Sequence, residues 1–179
     1  MNKVYAPKEC YIPIREDRSR TIISYGYVAE EDGINATWYE VYIPKKIKQS
    51  VSFNDVKEAI LSDIDAQTDD AILRGFVWTD ASEAAHNVWL SKENQQNYSE
   101  AHSIAKEHPE FILPGRFKIW EDEETKEAIY YTFTTYEELD DFFMRGAAYK
   151  KQCLEVGWQR KDSVDWEPYE AFFPVSNEQ

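Results

Sequence analysis

Cysteine, glycine, histidine and positive charge are all scarce in this chain, and each shortage removes a class of chemistry. Cys10 and Cys153 are its only 2 cysteines, too few for a disulfide framework or a cysteine-rich zinc site. Both are expected as reduced thiols, with Cys153 in the core. The 6 glycines are scattered, none precedes a lysine, and no Gly-x-Ser-x-Gly occurs. That leaves no phosphate-cradling loop and no nucleophile elbow. Of the 3 histidines, His102 and His108 are six apart, which does not give the i, i+4 pair of a helical zinc site. His86 is expected in a turn, and His102 at the edge of a core. No apolar run approaches the roughly 20 residues that a bilayer crossing requires. The first residues, Met1 to Pro7, also lack the apolar stretch of a signal peptide.

Lysine and arginine number 20 against 34 acids, a net charge of −14. The imbalance is uneven, with 8 basic and 7 acidic residues in 1–50 but 12 and 27 in 51–179. A field of that sign opposes nucleic acid and anionic membrane, so neither is an expected partner. It suits a solubilising surface, or a surface that meets a basic partner or mimics DNA. What the chain has in plenty is aromatic residues: 12 Tyr, 9 Phe and 6 Trp, within 42% hydrophobic composition. A sequence this apolar folds, and one of this size hides roughly 70% of its unfolded surface.

Strands dominate the first fifty residues. Cys10 to Ile14 is short and apolar. Thr21 to Ala29 and Ala36 to Ile43 flank Glu30-Glu31-Asp32-Gly33, the pattern of a hairpin with a longer loop. A helix is expected from Ser52, where Ser52 and Asp55 have capping-box spacing and Phe53, Val56, Ile60 and Ile64 share a face. It is expected to fade near Gln67 and Thr68, with Ala71 to Thr79 a strand and Asn87 to Leu90 a short return. Ser91 caps a helix that ends at Pro109. Gly115 to Glu121 and Ala128 to Phe133 form a second hairpin. Thr134 and Thr135 then start the strongest helix, with Leu139, Phe142, Phe143, Gly146, Cys153 and Val156 at helical period. The remaining stretch, from Asp165, reads as an irregular tail packed by Trp166, Tyr169, Phe172 and Phe173. The order predicts an α+β fold with antiparallel hairpins, not a doubly wound sheet. The expected division is residues 1–70, a hairpin with a helix, and 71–179, a strand, helix, hairpin and long helix with an aromatic tail.

Candidate chemistry is thin. Asp63, Asp65, Asp69 and Asp70 suggest a calcium loop, but the sixth and twelfth positions hold Thr68 and Arg74 where glycine and glutamate are needed. Paired carboxylates beside aromatics suit a glycosidase, yet 34 acids generate such pairs by chance. Trp78, Trp89, Trp120 and Trp158 are expected in the core. No catalytic residue, metal ligand or cofactor site is assigned. Two groups remain as binding candidates: Trp38, Tyr39 and Tyr42 in the first hairpin, and Glu121, Asp122, Glu123 and Glu124 at the second hairpin's turn. For the first group a core role is an equal alternative; for the second, a solvated face.

Several segments carry a resemblance. They are Phe76-Val77-Trp78, then Val88 to Tyr98, Leu113-Pro114, and Tyr131 to Thr135. Gln152-Cys153-Leu154, Gly157-Trp158 and Asp162 to Trp166 complete the set. Over about Ala71 to Trp166 the chain resembles a domain family of uncharacterised biochemistry found in phage and prophage proteins, commonly in tail-fibre and tail-fibre-assembly contexts. This chain departs from the usual pattern in a longer polar insert (Asp80 to His86) and a longer acidic hairpin turn. The resemblance implies a virion component or assembly partner, not an enzyme, and supplies no catalytic residues. On that basis the expectation is a non-enzymatic phage structural or assembly protein. It would bind other phage structural proteins, with a homo-oligomer as a further option, in the bacterial cytoplasm during assembly or in the virion. The rival readings are an acidic inhibitor of a host nucleic-acid-binding defence protein and a glycan-active tail enzyme.

Overall fold

A computed structural model describes residues 2–45, 50–122 and 124–173. The fold is α+β with antiparallel sheets throughout. The chain divides into two compact units, Met1–Gln67 with Gly157–Gln179, and Thr68–Val156. The expected division put all of 71–179 together, whereas residues 157–179 pack with the first unit.

In the first unit, β1 (Asn2–Pro7), β2 (Ile14–Glu16), β3 (Arg20–Ala29) and β4 (Asn35–Pro44) form one sheet of order β1-β4-β3-β2. Alternation sorts its two faces, since successive strand residues point to opposite sides. Ile23 and Tyr25 face the core with partly buried Tyr39, Val41 and Ile43. Against them lie Val56, Ile60 and Ile64 of α1 (Phe53–Arg74), four apart and therefore on one helix face. The helix starts as its sequence predicts. Ser52 Oγ accepts from Asp55 N at 3.2 Å and Asp55 Oδ2 accepts from Ser52 N at 2.8 Å, a reciprocal capping box. The last core piece comes from the tail, where Tyr169 of α4 (Glu167–Glu170) is 2% exposed. The tail is thus partly helical where an irregular segment was expected, although Phe172 remains exposed.

In the second unit, α1 ends later than expected. Ala71 to Arg74 is helical, and the strand β5 (Phe76–Thr79) begins only after Gly75. Gly75 has φ +76°, and a Cβ there would lie 1.7 Å from the Val88 carbonyl oxygen. The left-handed cap and the close approach of β6 (Ala85–Val88) therefore both require glycine. Ser91 Oγ caps α2 (Lys92–Glu107) by accepting from Asn94 N at 3.1 Å. The hairpin β7 (Gly115–Glu121) and β8 (Ala128–Phe133) has the predicted strands, followed by α3 (Tyr136–Asp162). Thr135 Oγ1 accepts from Glu138 N at 3.3 Å at that helix's start. The core holds an aromatic cluster: Trp78, Phe133 and Phe142 are each at most 1% exposed, with ring centroids 4.8–5.7 Å apart. One expectation for a core residue fails: Trp158 is 56% exposed. Val156, which continues the helical period, is 48% exposed, whereas Cys153 is half-buried and packs against the core. Among the described residues no helix is long and apolar enough to cross a membrane.

Candidate functional site

The first unit contains a cleft of about 1040 Å³ whose lining is rich in tyrosine. Its origin is local. The β3–β4 register shifts between Tyr25 and Val28, with Gly26 at φ +65° inside the bulge. A bulge leaves residues unpaired and re-aims side chains. Here it turns Tyr27 and Val28 outward, at 41% and 60% exposure, along the mouth of the cleft. On its other side β3 loses its neighbour early, because β2 pairs only as far as Ile23. The half-strand from Gly26 to Ala29 is consequently exposed.

Tyr25, Tyr39, Tyr11 and Tyr169 line the interior, together with Arg160 from the last turn of α3. The phenols are anchored individually. Tyr25 Oη donates to Asp63 Oδ2 at 2.5 Å and accepts from Gln67 Nε2 at 2.9 Å. Gln67 Nε2 also reaches Asp63 Oδ2 at 2.7 Å. Its carbonyl oxygen is thereby left to accept from Arg160 Nη2 at 2.8 Å. Arg160 stands 5.0 Å from the Tyr39 ring centroid, and Tyr39 stacks on Tyr25 at 5.6 Å. Tyr169 Oη and Tyr11 Oη both donate to the Ser24 carbonyl, at 2.6 and 3.3 Å. Burial raises the pKa of Tyr25, Tyr169 and Tyr11; the Asp63 carboxylate raises Tyr25 further, and Tyr11 raises Tyr169 further. These phenols stay protonated near neutral pH and act as hydrogen-bond donors. Chemically, the cleft offers flat apolar ring faces, phenol hydroxyls and one restrained guanidinium.

The sequence candidates do not assemble into one site. Tyr39 lines the cleft, but its strand neighbours Trp38 and Tyr42 point to the opposite face of β4. Trp38 is 1% exposed, and its indole N–H donates to the buried Glu40 carboxylate at 3.3 Å. Tyr42 Oη donates to the same carboxylate at 3.3 Å, and Arg15 pairs with it at 2.8 Å. Trp38 is a packing residue. The acidic group belongs to the second unit. Asp122 Oδ1 accepts from Thr125 N at 2.7 Å and Glu124 N at 3.0 Å, which holds its carboxyl below the usual range and closes the hairpin turn. Glu121 pairs with Lys118 Nζ at 2.8 Å, and that contact lowers its pKa. Glu124 is exposed, and Glu123 lies outside the described residues. Glu121 and Asp122 do border a shallow hollow of about 400 Å³ beside Trp89, Trp120 and Arg74.

The second unit also holds a polar cluster that the sequence did not suggest. His86 is on a strand, not in a turn, and its Nε2 lies 2.8 Å from Asp80 Oδ2. Tyr131 Oη donates to Glu138 Oε1, and Trp78 Nε1 donates to Asp141 Oδ2 at 3.0 Å. The Asp80 carboxyl is held below its usual range, mainly by Ser82 and then by His86. Burial and the Glu138 carboxylate raise Tyr131. The cluster ties hairpin to helix, through Tyr131 to Glu138 and Trp78 to Asp141. His102 sits at a core edge as expected, stacked on Phe143 at 4.1 Å with Asp140 Oδ1 at 2.7 Å. Among the described residues no group of three or more His, Cys, Asp or Glu could hold a metal ion.

No family model matches this chain, and no curated protein or solved structure does either. The cleft residues missed in the sequence are Tyr11, Tyr25, Tyr27, Arg160 and Tyr169. Tyr25-Gly26-Tyr27 within a strand pattern was the available signal, since a strand glycine marks a bulge. Nothing local distinguished Arg160 from a cation suited to a helix C-terminus.

Proposed function

We propose that this chain is a non-enzymatic binding protein that docks an extended segment of another protein along its tyrosine-lined cleft. The observation carrying this reading is the cleft itself, which runs beside the exposed half-strand Gly26 to Ala29. An exposed strand edge accepts main-chain pairing from an incoming segment, while side-chain pockets supply selectivity. Tyrosine gives large rigid contact area at low conformational cost. The sequence resemblance of residues 71–166 to a domain family found in phage and prophage proteins, commonly in tail-fibre contexts, supports another phage structural protein as the partner, met in the infected cell or the virion. Quantitative mass spectrometry of purified virions, and of tail assembly intermediates from the phage or prophage encoding the chain, tests this. The protein is expected in fixed ratio to a tail component, and Tyr27→Lys should remove it from that complex. Absence from both virions and intermediates sinks the reading.

A second reading draws on the charge of the other unit. Residues 68–156 carry 9 Lys/Arg against 18 Asp/Glu. Such a surface suits a basic partner, including a host nucleic-acid-binding defence protein. The two readings separate by salt: a complex held by that acidic unit weakens steeply as salt rises, whereas one held in an aromatic cleft changes little.

A further inference from the structure

We infer that the segment held in the cleft presents a carboxylate to Arg160; this rests on the docking reading above. Arg160 is half-buried in the cleft lining. Among the described residues no acid lies within ion-pairing distance of it, although its neighbour Lys161 pairs with Asp65 at 2.5 Å. A guanidinium has five N–H donors. Among the described residues this guanidinium donates one hydrogen bond, to Gln67, and it lies over the face of the Tyr39 ring. Holding a charge partly out of water without a counter-ion is costly, and it persists here because Gln67 and Tyr39 fix the group in place. A carboxylate is the complement, since it accepts two parallel N–H bonds from arginine in a fixed geometry.

The rest of the lining selects the charge and the neighbouring chemistry. Lys8 also borders the cleft, but it is exposed with Nζ on the Gly33 carbonyl at 2.8 Å, whereas Arg160 is half-buried against the Tyr39 ring. Glu9 and Asp165 also border the cleft, and both oppose a doubly charged phosphate more than a singly charged carboxylate. Val28, Ile64, Val164 and Pro168 line the same space with the tyrosine rings. The residue beside the carboxylate is therefore aromatic or aliphatic. An acidic side chain next to an apolar one, or an apolar C-terminal residue, meets both requirements.

NMR titration of the full chain with N-acetyl-phenylalaninate, its neutral amide and inorganic phosphate tests the inference. The acid should shift the Arg160 Nε–Hε and Tyr39 ring resonances and bind about ten-fold or more tightly than the amide. Arg160→Met should abolish that preference, and Arg160→Lys should restore part of it, with resonances of the second unit unmoved in both. Equal binding of acid and amide in the cleft overturns the carboxylate inference while leaving the docking reading intact. A preference surviving in Arg160→Met, or phosphate binding more tightly than the acid, also overturns it. If no probe shifts the cleft resonances the inference fails, and docking is then judged by co-purification of the Tyr27→Lys variant with tail proteins.

Discussion

The two units differ in how the chain builds them and in what their aromatic residues carry. The first joins both ends of the sequence, Met1–Gln67 and Gly157–Gln179, while the second is one stretch, Thr68–Val156. The first has 11 Lys/Arg against 16 Asp/Glu; the second has 9 against 18. The fully buried aromatics of the first core are the tyrosines Tyr25 and Tyr169, whereas those of the second are Trp78, Tyr98, Phe133 and Phe142. That choice has a structural consequence. A buried phenol must find a hydrogen-bond partner, so Tyr25, Tyr11 and Tyr169 are aimed at Asp63 and at the Ser24 carbonyl. Rings held by their polar ends leave faces over for a cleft of about 1040 Å³. Phe133 and Phe142 have no polar end to satisfy, and the hollow beside Trp89 and Trp120 in their unit is about 400 Å³.

The comparison can be broken most forcefully from the tail. Tyr169→Ala removes a ring 2% exposed and should cost the first unit about 3–5 kcal/mol. Trp78→Ala should cost the second unit a similar amount, about 3–5 kcal/mol. If the units differ as described, hydrogen exchange will show each variant loosening its own unit first. Gly75→Ala comes next, with a loss of about 2–3 kcal/mol from a strained positive φ and the collision with the Val88 carbonyl. Urea denaturation measures it. Ser52→Ala and Ser91→Ala, one cap at each unit, should each cost about 1 kcal/mol in the same measurement.

A pH series sharpens the contrast. Tyr25 and Tyr169 have folded pKa values raised above the unfolded value near 10. Their contribution to stability is complete below about pH 10 and declines as the pH rises further toward the folded values. Asp17 in the first unit and Asp80 in the second are depressed, mainly by hydrogen bonds from Ser19 and Ser82 respectively. Their contributions are present above the unfolded value near 3.9 and are lost as the pH falls below it. Spectrophotometric titration of tyrosine at 295 nm, read beside thermal unfolding, should show delayed ionisation in the intact chain. Tyr169→Phe should remove one delayed group and destabilise by about 1 kcal/mol.

Much of the fold was legible because its signals are local. Alternation in Thr21 to Ala29 and Ala36 to Ile43, the caps at Ser52 and Ser91, and the period of Leu139 and Phe142 each act within a few residues. The end of α1 was misplaced for the complementary reason. β-branched and aromatic residues around Gly75 read as one strand, but the break is set by how closely Val88 approaches that glycine. The cleft was legible only at Tyr39. Its other residues come from Lys8 to Tyr11 and β3 near the start of the chain, from Ile64 of α1, and from Arg160 to Tyr169.

By itself, the sequence determined the α+β class, the hairpins, the helix starts and the acidic bias of the later residues. These depend on neighbours one to four positions away and on composition. Tertiary structure alone decided that residues 157–179 complete the first unit, that Trp38 and Tyr39 serve opposite faces, and that Arg160 meets five tyrosines in one cleft. Those outcomes depend on which surfaces come together across more than a hundred residues, and no local pattern carries that information.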